Sequence, residues 1–305
     1  MPNDQSPALS FAPAFSALVV GAIAMGVSPI FVRFAEVGPF ASAFWRAGLA
    51  VPILLIWALL EAQRSKKSGR QDRGIASVFR VDGPILLAGL FFAGDLFFWH
   101  LSILNTTIAN ATLLACLAPV WVLLLSGTLI GETVSRKAYI GLVLCLIGTA
   151  TLIGSSFAFA PERLLGDLYG FATSIFFGLY FLAVRVARRK HQAGAVTFMS
   201  TSVTALVLLA ITLLSGQGFL PQTIYGLSAL LALGWVSHTF GQGLLAVALG
   251  ALSAAFSSLV IFIEALAAAL LAWLIFSENL TALQGAGGLL ILYGVWVARP
   301  QKEKK

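Results

Sequence analysis

Several ionisable or hydrogen-bonding side chains lie in the middle of long apolar runs, and their spacing suggests a shared task. Asp95, Trp99 and Ser102 fall at i, i+4 and i+7, so a helix places them on one face, with His100 on a neighbouring face. Trp235, His238 and Gln242 repeat the pattern at i, i+3 and i+7 in a second run. Glu264 and Arg46 sit inside two further runs, and Tyr180 inside another. A charge at a bilayer centre costs at least about 2.5–3.5 kcal/mol, so each of these residues needs a physical reason. A carboxylate there can hold an amine or carry a proton, and a guanidinium can hold a carboxylate in a bidentate fork. Trp99, Tyr180 and Trp235 have apolar bodies with polar edges, which suit them as walls for an apolar or aromatic solute. The pattern is one of solute recognition. No HExxH, GxSxG or aspartate cluster suggests catalysis, and neither a metal site nor a cofactor is expected.

Each residue also has a structural alternative. Arg46 can pin helix ends by donating to backbone carbonyls, and the balance favours that role. Asp95 and His100 read more as scaffold than as binding groups. Glu264 stays open between a coupling or amine-binding carboxyl and a structural one, and His238 between cavity and core. Arg33 and Arg185 read as interfacial anchors. Glu132 and Glu278 recur at matching helix ends, where a cap or gate-side contact is expected. Pro29, Pro52 and Pro119 are expected to kink their helices and act as hinges.

The elements that must position these groups follow from composition. The chain has 305 residues, of which 59% are hydrophobic and only 10% charged, whereas a soluble domain carries about a quarter charged residues. Ten apolar runs, at 14–34, 39–60, 84–104, 107–130, 137–154, 166–187, 196–215, 225–247, 251–276 and 282–298, are each about the length that crosses a bilayer as a helix. The expected class is an all-α integral membrane protein. Residues 1–13 lack Lys and Arg, so the first run is expected to be a retained span. Cys116 and Cys145 lie in apolar runs and suggest no disulfide framework.

Charge then sets direction. Fifteen of the 19 basic residues fall in the tail after 298 and in the loops after runs two, four and six, which places both tails, 1–13 and 299–305, in the cytoplasm. The basic bias is explained by orientation in the bilayer, so no nucleic-acid partner is expected. The basic loop at 61–83 reads as a topology anchor, with lipid binding a lesser alternative.

Residues 105–152 and 251–298 are two copies of one pattern, offset by 146: Glu132 matches Glu278, Gly141 matches Gly287 and Gly148 matches Gly294. Gly26 to Arg33 similarly matches Gly178 to Arg185. Five spans per half is an odd number, so the halves 14–154 and 166–298 must cross the bilayer in opposite senses. Inverted repeats of this kind serve alternating access. The small residues Ala109, Ala111, Ala115, Ala254, Ala255, Ser257 and Ser258 predict a tight central contact between helices four and nine.

Gly26, Pro29, Arg33 and Arg46, the stretch Asp95 to His100, the stretch Thr106 to Ala111, and Ala118-Pro119 through Gly131-Glu132 resemble the drug/metabolite transporter superfamily, in its EamA-type branch of ten-helix carriers. The chain departs from the family pattern at Ala265, where a proline is usual after position 264, and at Ser277-Glu278, where Gly-Glu is usual. The resemblance implies a secondary transporter of the bacterial inner membrane that exports small metabolites. Amino acids, aromatic or otherwise apolar, are the nearest substrate type in that branch. The alternative is an efflux carrier for lipophilic cationic drugs. A central cavity between helices one, three, four, six, eight and nine is expected. The expected partners are a small-molecule substrate and the lipid bilayer; a monomer is compatible with this and the oligomeric state is left open.

Overall fold

The computed structural model describes residues 9–67, 74–153, 160–216, 218–276 and 281–300. Among them every regular element is helical, and the helices group into ten spans. Span one is α1 (Phe11–Gly26) followed by α2 (Ser28–Phe34), and span two is α3 (Pro39–Gly48) followed by α4 (Val51–Lys67). Span three is α5 (Gly83–Asn105), span four is α6 (Ile108–Ala115) with α7 (Ala118–Ile130), and span five is α8 (Arg136–Ile153). Span six is α9 (Leu164–Arg188) and span seven α10 (Ala193–Ser215). Span eight joins α11 (Ile224–Ala232) to α12 (Gly243–Leu249) through a π-helical stretch, Leu233–Gln242. Span nine is α13 (Ala254–Val260) with α14 (Phe262–Phe276), and span ten is α15 (Ala282–Ala298).

Nine of these spans are long and apolar enough to cross a membrane; the tenth, Ala282–Ala298, is slightly shorter. At a rise of 1.5 Å per residue its 17 residues still extend about 25 Å. Pro29, Pro52 and Pro119 each occupy the first turn of the second segment of a broken span, where a missing N–H costs nothing.

Spans five and ten pack backbone to backbone. A Cβ on Gly141 would lie 2.6 Å from the Gly294 carbonyl oxygen, and one on Gly294 would lie 2.9 Å from that of Gly141. Gly148 and Gly287 face each other at 2.7 Å in both directions. The first of each pair meets its partner in reverse order, so the helices are antiparallel. A shift of 146 residues turns one pair into the other. Cys145 and Ile291, themselves 146 apart, touch on the axis between them, thiol to carbonyl at 3.6 Å. A local two-fold axis thus relates the two copies, as an inverted repeat requires.

The relation holds elsewhere. A Cβ on Gly26 would meet the Glu264 carbonyl at 2.7 Å and Ala267 Cβ at 3.1 Å. The matching Gly178 would meet the Ala118 carbonyl at 3.0 Å and Trp121 Cβ at 2.9 Å. Span one therefore lies on span nine as span six lies on span four. The contact expected between spans four and nine is present: α7 meets α13, and Ala254, Ala255, Ser257 and Ser258 are buried. Spans five and ten approach each other backbone to backbone as well, while the breaks in spans four and nine face a cavity.

Small-to-large changes in such a seam cost about 1–3 kcal/mol. Gly148→Ala is expected to lower the thermal midpoint of the purified protein. Gly285→Ala, in the same helix pair but with nothing within 4 Å of the new Cβ, should leave it level or raise it. Equal midpoints for the two variants would count against the seam.

Candidate functional site

The breaks in spans four and nine fall within two residues of equivalent positions and face one cavity. Span four lines it with Thr112, Ala115, Cys116, Ala118 and Pro119, and span nine with Ile261, Phe262, Glu264, Ala265 and Ala268. Span one adds Met25, Gly26, Ser28 and Pro29, and span two adds Arg46. Span three supplies Phe92, Asp95, Leu96 and Trp99; span six adds Thr173 and Phe177, and span eight Gln242. Two carboxyl groups, one guanidinium and four aromatic rings thus share one chamber.

The charges in it are not spent on each other. Among the described residues no ion pair within 4.0 Å joins Arg46, Asp95 or Glu264. Arg46 is only 7% exposed and its Nε has no hydrogen-bond partner. Its guanidinium carbon lies 5.8 Å from the centre of the Phe92 ring, within cation–π range. Burying unpaired charge is costly, so the geometry suits an incoming solute that supplies the missing partners.

Behind the wall lies a second layer. The Tyr180 hydroxyl donates to Gln242 Oε1 at 2.9 Å, and Gln242 Nε2 donates to Met25 Sδ at 3.1 Å. Tyr180 packs on Phe92 in a tilted arrangement with centroids 4.6 Å apart, and His238 meets the same ring edge-on at 5.4 Å. His238 Nε2 pairs with Thr201 Oγ1 at 2.8 Å. Tyr180, expected on the cavity wall, and His238, left open between cavity and core, hold Gln242 and Phe92 in place from behind.

Trp235 is a plainer correction: it is 47% exposed and points away from the cavity. The π-helical winding from Leu233 to Gln242 is the reason, since its wider turn brings residues four and five apart into line. His238 and Gln242 remain together on the buried face while Trp235 swings outward. His100 is likewise off the wall, with Nδ1 on the Leu96 carbonyl at 2.6 Å and its ring edge-on to Trp99. Ser102 leaves the expected stripe and donates to the Gly166 carbonyl at 2.8 Å, so the stripe of Asp95 and Trp99 runs toward Phe92 instead. Sequence reading missed Phe92 although it lies three residues before Asp95, and it missed Phe177 and Met25, which carry no charge to draw attention.

Polar contacts tie the two halves together beyond the cavity. Gly131, at φ 67°, ends α7 in the left-handed region that glycine favours and turns Glu132 toward the other half. Glu132 Oε1 accepts from Arg185 Nε at 2.5 Å, and Oε2 accepts from the Ala254 N–H at 2.9 Å. Arg185 also donates to the Leu249 carbonyl, and Arg189 to the Ile130 carbonyl. Arg185 was expected to be an interfacial anchor; it is an inter-half clamp, because the helix end it reaches carries orphan carbonyls. The matching Glu278 lies outside the described residues. At the same end His191 pairs with Asp82 at 2.8 Å, and the Gly194 N–H donates to Glu61 at 2.7 Å. At the opposite end Glu36, at φ 54°, accepts from the Thr223 N–H and hydroxyl.

Burial pushes the Asp82 carboxyl up. The hydrogen bonds from His191 and the Ile85 N–H, with the nearby charges of His191 and Lys190, outweigh it and hold the group below its ordinary value. A carboxylate held low adds stability above its unfolded pKa, about 3.9, and loses it as pH falls through the lower folded value. The midpoint difference between the parent protein and Asp82→Asn should therefore shrink as pH falls from about 5 into stronger acid. A difference that widens over that acid range would contradict this.

A profile described as the EamA-like transporter family matches residues 12–154 and 164–299, nearly the whole chain in two copies. The chain is 29% identical over 243 residues to the pseudopaline exporter CntI of Pseudomonas aeruginosa, covering 80% of each protein. It is 28% identical to an uncharacterized transporter of Archaeoglobus fulgidus, over 93% of this chain and 95% of that one. A solved crystal structure superposes with a TM-score of 0.78 at 21% identity, over 95% of this chain and 97% of the other, which is a likeness of fold.

Proposed function

This chain belongs to the EamA-like transporter family, and from that premise we propose that it exports small zwitterionic metabolites, amino acids with aromatic or apolar side chains foremost, by alternating access. The carrying observation is the chamber in which Arg46, Asp95 and Glu264 stand without ion-pair partners between Phe92, Trp99 and Phe177. Arg46 receives the carboxylate of the solute and Glu264, with Asp95 near it, receives the ammonium. The rings take the side chain. The printed name of the Pseudomonas relative supports export as the direction. The distribution of basic residues supports cytoplasmic tails and an inner-membrane location.

In this reading the halves 14–154 and 166–298 rock against each other, and the Glu132–Arg185 clamp is the closed cytoplasmic gate. Loading from the cytoplasm requires that clamp to break, with the Glu36 end closing in exchange. Energy comes from the solute gradient or from protons carried by Glu264. One observation favours a second reading: two carboxyls and an aromatic lining also suit lipophilic cations. Arg46 opposes it, because a cation entering the chamber would face a fixed positive charge.

Proteoliposomes loaded with a panel of amino acids or cationic dyes, with and without a pH gradient, test the proposal. Aromatic amino acids should move, and external substrate should accelerate release of the loaded pool. Arg46→Gln should abolish amino-acid transport while sparing or enhancing that of cations; Glu264→Gln should lower both. Cys116 lines the cavity, so bound amino acid should also slow its alkylation. Transport of dyes alone would overturn the amino-acid reading.

A further inference from the structure

Spans five and ten end side by side in a second, basic cavity. Arg136, Lys137 and Arg299 line it together with Ser135, Ser253 and Phe256. All three cations are exposed, and no ion pair among the described residues engages them. Among the described residues the carboxylate closest in sequence, Glu132, is committed to Arg185 and the Ala254 N–H. Three positive charges thus crowd one hollow, and no acid among the described residues pairs with them.

What lies beneath the hollow identifies the chemistry. On α8, Ile140, Val143 and Ile147 are 51–54% exposed and continue the face that Arg136 begins, at i+4, i+7 and i+11. On α15, Leu289, Leu292 and Trp296 are exposed and lie at i−10, i−7 and i−3 from Arg299, whose guanidinium lies 5.0 Å over the Trp296 ring. Two apolar rails therefore descend from a cationic cup. A soluble anion would use the cup alone; a ligand that matches cup and rails has an anionic head and hydrocarbon tails. We propose that this cavity binds the head group of an anionic phospholipid whose acyl chains lie along the outer faces of spans five and ten. Each Lys or Arg near such a head group tightens its binding roughly fivefold.

The test uses the purified full-length protein titrated with phosphatidylglycerol, phosphatidylcholine or inorganic phosphate, with binding read by native mass spectrometry. Phosphatidylglycerol should bind at least tenfold more tightly than phosphatidylcholine. The triple change Arg136→Gln, Lys137→Gln and Arg299→Gln should weaken it roughly a hundredfold. Neutralising Arg64, Lys66 and Lys67 at the end of span two should leave it unaltered. Unchanged binding in the triple variant, equal binding of phosphatidylcholine, or displacement by inorganic phosphate at comparable affinity would overturn the proposal. Should the triple variant not fold, Arg299→Gln decides alone: a weakening of roughly fivefold supports the site and no change refutes it.

Discussion

Backbone contact between spans five and ten fixes the frame on which the rest of the molecule depends. Lipid tails are as apolar as leucine, so helices in a bilayer gain little from burial and adhere through close van der Waals packing. Four glycines allow that packing here, and their reciprocal pairing leaves one antiparallel register available. Once that register is set, the two-fold relation places span one on span nine and span six on span four. The interrupted middles of spans four and nine must then confront each other, and a chamber opens between them.

The frame is symmetric but the chamber is not. Ala118 and Pro119 face it from one half; Glu264 and Ala265 face it from the other at the matching positions. Span eight departs from its counterpart, span three, by a π-helical stretch that sends Trp235 to the lipid face and keeps Gln242 inward. The Tyr180–Gln242–Met25 chain then satisfies those polar atoms within protein, where no water could serve them at low cost. The ring of Phe92 is held from two sides while one face stays available to the chamber. A charged, lopsided interior has thus been built inside a nearly two-fold scaffold.

Much of this was legible in the sequence because its signals are local. Apolar run length gave the spans, odd parity gave the inversion, and the offset of 146 located the glycines that the structure brings together. Arg46, Asp95, Trp99, Gln242 and Glu264 stood out as polar groups in apolar runs, and all five line the chamber. What escaped was whatever depended on winding or on distant partners. A helix drawn at 3.6 residues per turn placed Trp235 beside His238, and nothing local marked the wider turn. Arg185 looked like an anchor at a helix end, since its partners Glu132 and the Leu249 carbonyl are 53 and 64 residues away. Tyr180 and His238 were recognised as polar and buried, yet their rank behind Phe92 and Gln242 is a matter of packing alone.

In the vocabulary of assemblies, the seam between spans five and ten is an isologous interface enclosed in one polypeptide: each half offers the other the same patch it receives. Such a surface would serve two separate copies of a half-length chain equally well. The difference made by joining them is independence. Two identical subunits would have to place a carboxylate at position 118 whenever they placed one at 264, and the chamber would hold both. A single polypeptide can keep alanine on one side and glutamate on the other. Covalent linkage therefore gives the interior a polarity that no symmetric dimer of one gene product could possess.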